Sequence, residues 1–234
     1  SDTSQRLGNA HHFCQSLDVR DAQALQDFAQ ATQDAFGQID GVINNAGVSV
    51  IAPADQMKRE DFMWQMDVNF WGVVNGTEAF IPFIRKQKDG AILNVSSVFG
   101  LIAFPAQSTY NASKFAVRGY TEALRHEMAM TDPHVLISCV HPGGIKTPIL
   151  KNARFRAALT GENHEQAARL FEANALTTPE KAAAIILKGI KKRKARILIG
   201  PDARVIDIIQ RLFPTHYFKI LNRLIRQRDT LDVS

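Results

Sequence analysis

The sequence contains only two cysteines, Cys14 and Cys139, too few for a disulfide scaffold. Both lie in apolar stretches and read as small buried hydrophobes in a reducing, cytoplasmic compartment. No apolar run approaches the ~18 residues that a membrane-spanning helix requires. The polar opening, Ser1 to Arg6, does not read as a signal peptide. There is no H-E-x-x-H, and the histidines and cysteines show no ligand spacing, so no metal site is expected. There is no G-x-S-x-G, which excludes a hydrolase built on a nucleophile elbow.

What remains has the composition of an ordinary globular domain: 45% apolar and 22% charged residues in a chain of 234. That length fits one domain, 1–234, with a core large enough to need no staples. The net charge of +5 is unevenly placed. Ile186 to Ser234 carries twelve Lys/Arg against four Asp, +8, and residues 1–185 carry sixteen against nineteen, −3. The run Lys188, Lys191, Lys192, Arg193, Lys194 and Arg196 reads as cations at a helix C-terminus, where they suit the dipole, rather than as a nucleic-acid surface.

Short apolar strands alternate with longer amphipathic helices. Strands are expected over Phe13–Val19, Gly41–Gly47 where the strand runs into a turn, Ala91–Ser97, Val135–His141 and Arg196–Ile199. Helices are expected over Asp21–Phe36, Arg59–Gln87 with a bend near Pro82, Ser108–Thr131, and Pro179–Lys194 capped by Thr178. Residues 146–176 read as an irregular flap. The pattern predicts an α/β doubly wound parallel sheet of the Rossmann type in three layers. In such sheets ligands bind beyond the carboxyl ends of the strands. The segments found there are Asp18, Asn45-Ala46-Gly47, Ser96-Ser97 and Pro142-Gly143-Gly144, all polar or glycine-rich.

Tyr110 and Lys114 stand four residues apart, on one face of the predicted helix. A cation beside a phenol favours the phenolate, so Lys114 is expected to lower the Tyr110 pKa towards neutrality and make it an acid/base near pH 7.

The assembled residues resemble the short-chain dehydrogenase/reductase family over nearly the whole chain. Tyr110 and Lys114 are similar to its Y-x-x-x-K, with Ser97 thirteen residues upstream. Asn44-Asn45-Ala46-Gly47 resembles its N-N-A-G, Asp67-Val68-Asn69 its helix asparagine, Pro142-Gly143 with Thr147 its P-G-x-x-x-T, and Asp18-Val19 its adenine-contacting pair. The resemblance implies an NAD- or NADP-dependent oxidoreductase interconverting a ketone or aldehyde and an alcohol. Tyr110 would exchange the proton, Lys114 would tune it and hold the nicotinamide ribose, Ser97 would hold the substrate oxygen, and Asn69 would hold a water passing protons to Lys114. Asp18, Val19, Asn45, Ala46, Gly47, Val68, Pro142, Gly143, Ile145 and Thr147, with Tyr110 and Lys114, would contact cofactor. Phe99, Phe104 and Ile149, with Ser97, would line an apolar substrate pocket. The alternative is a catalytically silent scaffold of the same fold.

The family's opening unit, a strand, a T-G-x-x-x-G-x-G turn and a helix, has no counterpart in this sequence. The expectation is that a βαβ portion of ~40–50 residues precedes residue 1, carrying the determinant of NAD against NADP. Beyond the last strand, residues 203–228 form a basic amphipathic tail. Val205, Ile206, Ile208, Ile209, Leu212 and Phe213, then, past Pro214, Tyr217, Phe218, Ile220, Leu221, Leu224 and Ile225, make apolar stripes among Lys219, Arg223, Arg226 and Arg228. Packing within a homo-oligomer or on the domain itself, and contact with a membrane surface, are both open for it.

Overall fold

The computed structural model describes residues 12–156 and 175–223. Helix α1 spans Ala22–Phe36; Asp21 caps it by accepting from the Ala24 amide, and Gly37 closes it at φ 78°, a left-handed turn that glycine reaches without strain. Strand β1 (Gly41–Asn44) and a short strand β2 (Val50–Ile51) follow. Helix α2 (Arg59–Met66) runs through a π-helical turn, Asp67–Trp71, into α3 (Gly72–Ile84). Pro82 falls in the last turn of α3, so the single long helix ends at Ile84, short of the expected Gln87. Strand β3 (Ala91–Val95), helix α4 (Ser108–Thr131), strand β4 (Leu136–Pro142), a two-residue strand β5 (Arg154–Phe155), helix α5 (Pro179–Lys191), strand β6 (Arg196–Ile199) and helix α6 (Pro201–Leu212) complete the domain.

Strands β1, β3, β4 and β6 form one parallel sheet in the order β1-β3-β4-β6. Alternate residues face opposite ways. Ile92 and Ile137 join Leu25, Ala29, Ile84 and Met128 under α1, α3 and α4. Leu93, Leu136 and Val140 join Ile197, Ile199 and Ala182 under α5. The chain therefore has helices on both faces of the sheet, the expected three-layer architecture.

The segment 12–19 is not a strand, contrary to the expectation for Phe13–Val19. A parallel strand exists through its neighbours, and among the described residues none pairs with it. Cys14 is accordingly exposed, whereas Cys139 is buried as expected. Ile43 on β1 is 45% exposed, since β1 is the edge of the sheet among the described residues.

Residues 157–174 of the anticipated flap lie outside the described residues, but its two roots are placed. Ile145 bridges Thr177, and Thr177 exchanges backbone hydrogen bonds with Gly144 and Lys146. The excursion thus leaves and returns at one point. Strand β5 pairs with β2, and Arg154 and Arg156 flanking Phe155 grip Asp61 of α2. The Asp61 carboxylate is fully covered, at 3.1 Å from Arg154 Nη1 and 2.7 Å from Arg156 Nε, and the Arg154 guanidinium lies 3.5 Å over the Trp64 ring. The Arg156 hydrogen bond is the main reason the Asp61 pKa lies below the ordinary carboxylate value. Because the arginines covering Asp61 are themselves partly exposed, they can return to water when the acid is removed. Asp61→Ala is expected to lower stability by about 2 kcal/mol, less than for a deep ion pair. Urea unfolding measures it; an unchanged midpoint would show that the clamp contributes nothing.

Candidate active site

The site is assembled where β1, β3 and β4 end. Ser97 lies just past β3, 8% exposed and extended, with its hydroxyl accepting from the Phe99 amide at 3.1 Å as it starts the turn Val98–Gly100. Its carbonyl accepts from buried His141 Nδ1 at 2.9 Å, so β4 holds the end of β3 in place. Tyr110 and Lys114 sit in the first turns of α4, on the face turned to that strand end. The Lys114 ammonium is buried, donates to the Val95 carbonyl at 2.9 Å, and lies 5.7 Å from the Tyr110 ring centroid. Ser96 Oγ donates to the Lys114 carbonyl at 2.8 Å, a second tie between β3 and α4.

This geometry changes the electrostatics expected from spacing alone. Tyr110 is half-buried at the strand end. Burial pushes its pKa up to about 12, and a hydrogen bond with Ser97 opposes the rise without reversing it. Burial brings Lys114 down to about 8. The expected lowering of Tyr110 by Lys114 is therefore not a property of this arrangement. The ammonium is directed at the Val95 carbonyl and sits over the ring rather than beside the phenol oxygen.

Asn69 is fully buried in the π-helical turn. Its Oδ1 accepts from the Val48 amide at 2.8 Å, and its Nδ2 donates to the Val48 carbonyl at 3.0 Å and to Ser113 Oγ at 3.2 Å. Ser113 Oγ donates in turn to the Tyr110 carbonyl at 2.9 Å. One side chain thereby ties the loop after β1 to the helix carrying Tyr110. A π turn offsets helical register by one residue and is frequent at functional sites.

Asn45, Ala46 and Gly47 form an exposed shelf after β1. A Cβ on Gly47 would lie 3.4 Å from Asn69 Oδ1 and 3.6 Å from Lys114 Nζ, which places the shelf against the catalytic candidates. Val68 is half-buried in the π turn. Pro142 ends β4, and Gly143 and Gly144 turn the chain towards buried Ile145 and half-buried Thr147 and Ile149. Phe99 stacks on Phe104 with centroids 5.6 Å apart and meets the Tyr110 ring edge-on at 6.1 Å, so an apolar wall leads to the phenol. Asp18 stands apart from this cluster. It is paired with Arg20 in an open cleft of about 610 Å³ that Asp67, Trp71 and Asn75 also line. Val19 packs on Gly72, where a Cβ would meet it at 2.6 Å.

The family model described as short chain dehydrogenase matches residues 2–157. The chain belongs to that family. It is 44% identical over 206 residues to SadH of Mycobacterium tuberculosis, an oxidoreductase by name, covering 88% of this chain and 74% of SadH. A 3-ketodihydrosphingosine reductase of Bacteroides thetaiotaomicron is 32% identical over 200 residues, covering 81% of this chain and 73% of its own. A short chain dehydrogenase/reductase from Burkholderia phymatum, solved in complex with NAD, superposes with a TM-score of 0.79 at 28% identity, over 89% of this chain and 78% of that one.

This chain's residues fit a nicotinamide ribose at this strand end. Gly47 has no side chain, the Lys114 ammonium lies close by it, and the Pro142-Gly143-Gly144 turn leaves β4 at the same edge of the sheet. For the pyrophosphate end, the chain contains no T-G-x-x-x-G-x-G turn. Two supports escape motif reading. Asp202, in the first turn of α6, accepts from the Gly144 amide at 2.6 Å and leaves no room for a Cβ on Gly143, which would fall 2.1 Å from its Oδ2. The carboxylate after Gly200-Pro201 was a visible helix-start signal. Tyr217 accepts from the Ala103 amide at 3.0 Å, and Phe218 meets Phe104 at 6.0 Å, so the tail closes on the aromatic wall; nothing local marks that contact.

Proposed function

We propose that this protein is an NAD- or NADP-dependent oxidoreductase that reduces the carbonyl of an apolar ketone or aldehyde to an alcohol, with Tyr110 as general acid. The observation that carries it is the convergence of Ser97, Tyr110 and Lys114 at one strand end beneath the Gly47 shelf. A reduced nicotinamide, when bound, supplies the hydride to the carbonyl carbon. The Ser97 hydroxyl donates to the carbonyl oxygen and stabilises the charge that develops there. Tyr110, held protonated by burial, gives its proton to that oxygen as the C=O bond opens. Lys114 keeps positive charge over the Tyr110 ring as the proton leaves. Asn69 acts as a positioning residue, its amide being committed to Val48 and Ser113. Asn45, Ala46, Gly47, Val68, Pro142, Gly143, Ile145 and Thr147 line the cofactor side, with Asp18 and Val19 towards the adenine. Phe99, Phe104 and Ile149 line the substrate side.

The apolar wall, and a relative named for reducing a long-chain 3-keto base, support an apolar substrate. Exposed Phe62, Met63, Trp71 and Phe115 on α2, the π turn and α4 support a homo-oligomer, and the two free cysteines a reducing, cytoplasmic setting. The test is carbonyl-dependent oxidation of NADH and NADPH by the full-length protein, with long-chain ketones against small polar ones. Turnover of the long-chain set is expected. Cofactor binding without turnover of any carbonyl would establish the scaffold alternative.

A further inference from the structure

Helix α6 presents an apolar stripe to solvent. Val205 is 48% exposed, Ile208 56%, Leu212 67%, and Phe213 at its end 48%. At ~100° per residue the first three fall within a ~60° arc, and Arg204 and Arg211 flank that arc on one side. Residues 201–223 hold four cations, Arg204, Arg211, Lys219 and Arg223, against two carboxylates. Both carboxylates are turned inward. Asp202 takes the Gly144 amide, and Asp207, 8% exposed, pairs with Arg196 and Arg211. The outer face is thus apolar with a cationic border and no acid of its own.

We propose that this face docks on an anionic lipid surface, with Val205, Ile208, Leu212 and Phe213 entering the acyl boundary and Arg204, Arg211 and Lys219 at headgroup level. Charge complementarity selects this occupant. A second copy apposed about a two-fold axis would bring the arginine border against itself and offer it no carboxylate. An anionic bilayer matches both halves of the face. Just past Phe213, the helical turn at 217–223 brings Tyr217 and Phe218 onto Ala103 and Phe104, so the docking helix leads directly to the aromatic wall of the site. Among the described residues no helix is long and apolar enough to cross a membrane, so the contact is peripheral.

The test is flotation of the full-length protein with vesicles of phosphatidylcholine alone and of phosphatidylcholine mixed with phosphatidylglycerol. Wild type is expected to float with the anionic vesicles only, and less so at high salt. The Ile208→Asp, Leu212→Asp double variant is expected to stay behind. Arg204→Ala, a fully solvated change that leaves the fold intact, is expected to weaken partition about fivefold, from ~1 kcal/mol per cation near the surface. Flotation needs no turnover, so its outcome is read independently of the catalytic assignment. Absence of wild-type flotation, equal flotation of both variants, or a double variant that dissociates a wild-type oligomer would overturn the proposal; the last would assign the face to a second copy.

Discussion

Tyr110→Phe is expected to lower turnover by ~10²–10⁴, the usual contribution of a positioned acid/base, while cofactor affinity changes little. The phenylalanine keeps the ring and so keeps the edge-on contact with Phe99 and the packing under the Lys114 ammonium. What it removes is the phenol hydroxyl that burial holds protonated near Ser97. The measurement pairs steady-state turnover with cofactor titration on wild type and variant. Near-normal turnover would show that another group protonates the carbonyl oxygen. Joint loss of turnover and cofactor binding would show that the ring had supported the site structurally. The KM for cofactor separates these outcomes.

Acidification is expected to begin destabilising the protein well above the range of ordinary carboxylates, because of His141. The ring is completely buried; Nδ1 donates to the Ser97 carbonyl, and Nε2 has no partner. Burial lowers its pKa to about 4 from 6.5. Below pH 6.5 the unfolded chain therefore takes up a proton that the folded state refuses, and stability falls as pH drops from 6.5 to 4. The full difference is ~3 kcal/mol, at 1.36 kcal/mol per pKa unit. Asp61 and Glu122, whose pKa values are lowered by their arginine partners, give stability that is lost only at still lower pH, as they protonate in the fold. Urea midpoints between pH 7 and pH 4.5 isolate the histidine. In His141→Asn, whose amide can still donate to Ser97, the decline over that window should flatten. A variant that declines as steeply as wild type would remove His141 as the cause. The same histidine braces Ser97, so acid loss of activity should accompany loss of fold and not precede it.

The sheet, its helices and the placing of Tyr110 and Lys114 on one helix face were legible because each rests on local periodicity. Four apolar strands separated by amphipathic helices imply a parallel sheet, and a tyrosine and lysine four residues apart must share a helix face whatever surrounds them. Gly37, Thr178 and Pro179 mark helix ends through φ and capping chemistry that travel with the residue. The segment Phe13–Val19 was an exception, since its apolar residues supply no strand without neighbours to pair with.

The sequence by itself determined which groups reach the strand ends and in what order: Asn45 to Gly47, Ser97, Tyr110 with Lys114, and Pro142 to Gly144. Tertiary structure decided how those groups behave. The proton affinity of Tyr110 follows from enclosure and from where the Lys114 ammonium is directed, and neither is encoded in a spacing of four. Asn69 became a clamp on Val48, Asp202 a brace under Gly144, and Asp61 the anchor of a strand more than ninety residues away, through contacts of no regular period. Hydrogen bonds and desolvation depend on which atoms meet in three dimensions, whereas helix faces and strand alternation depend only on the repeat of the backbone.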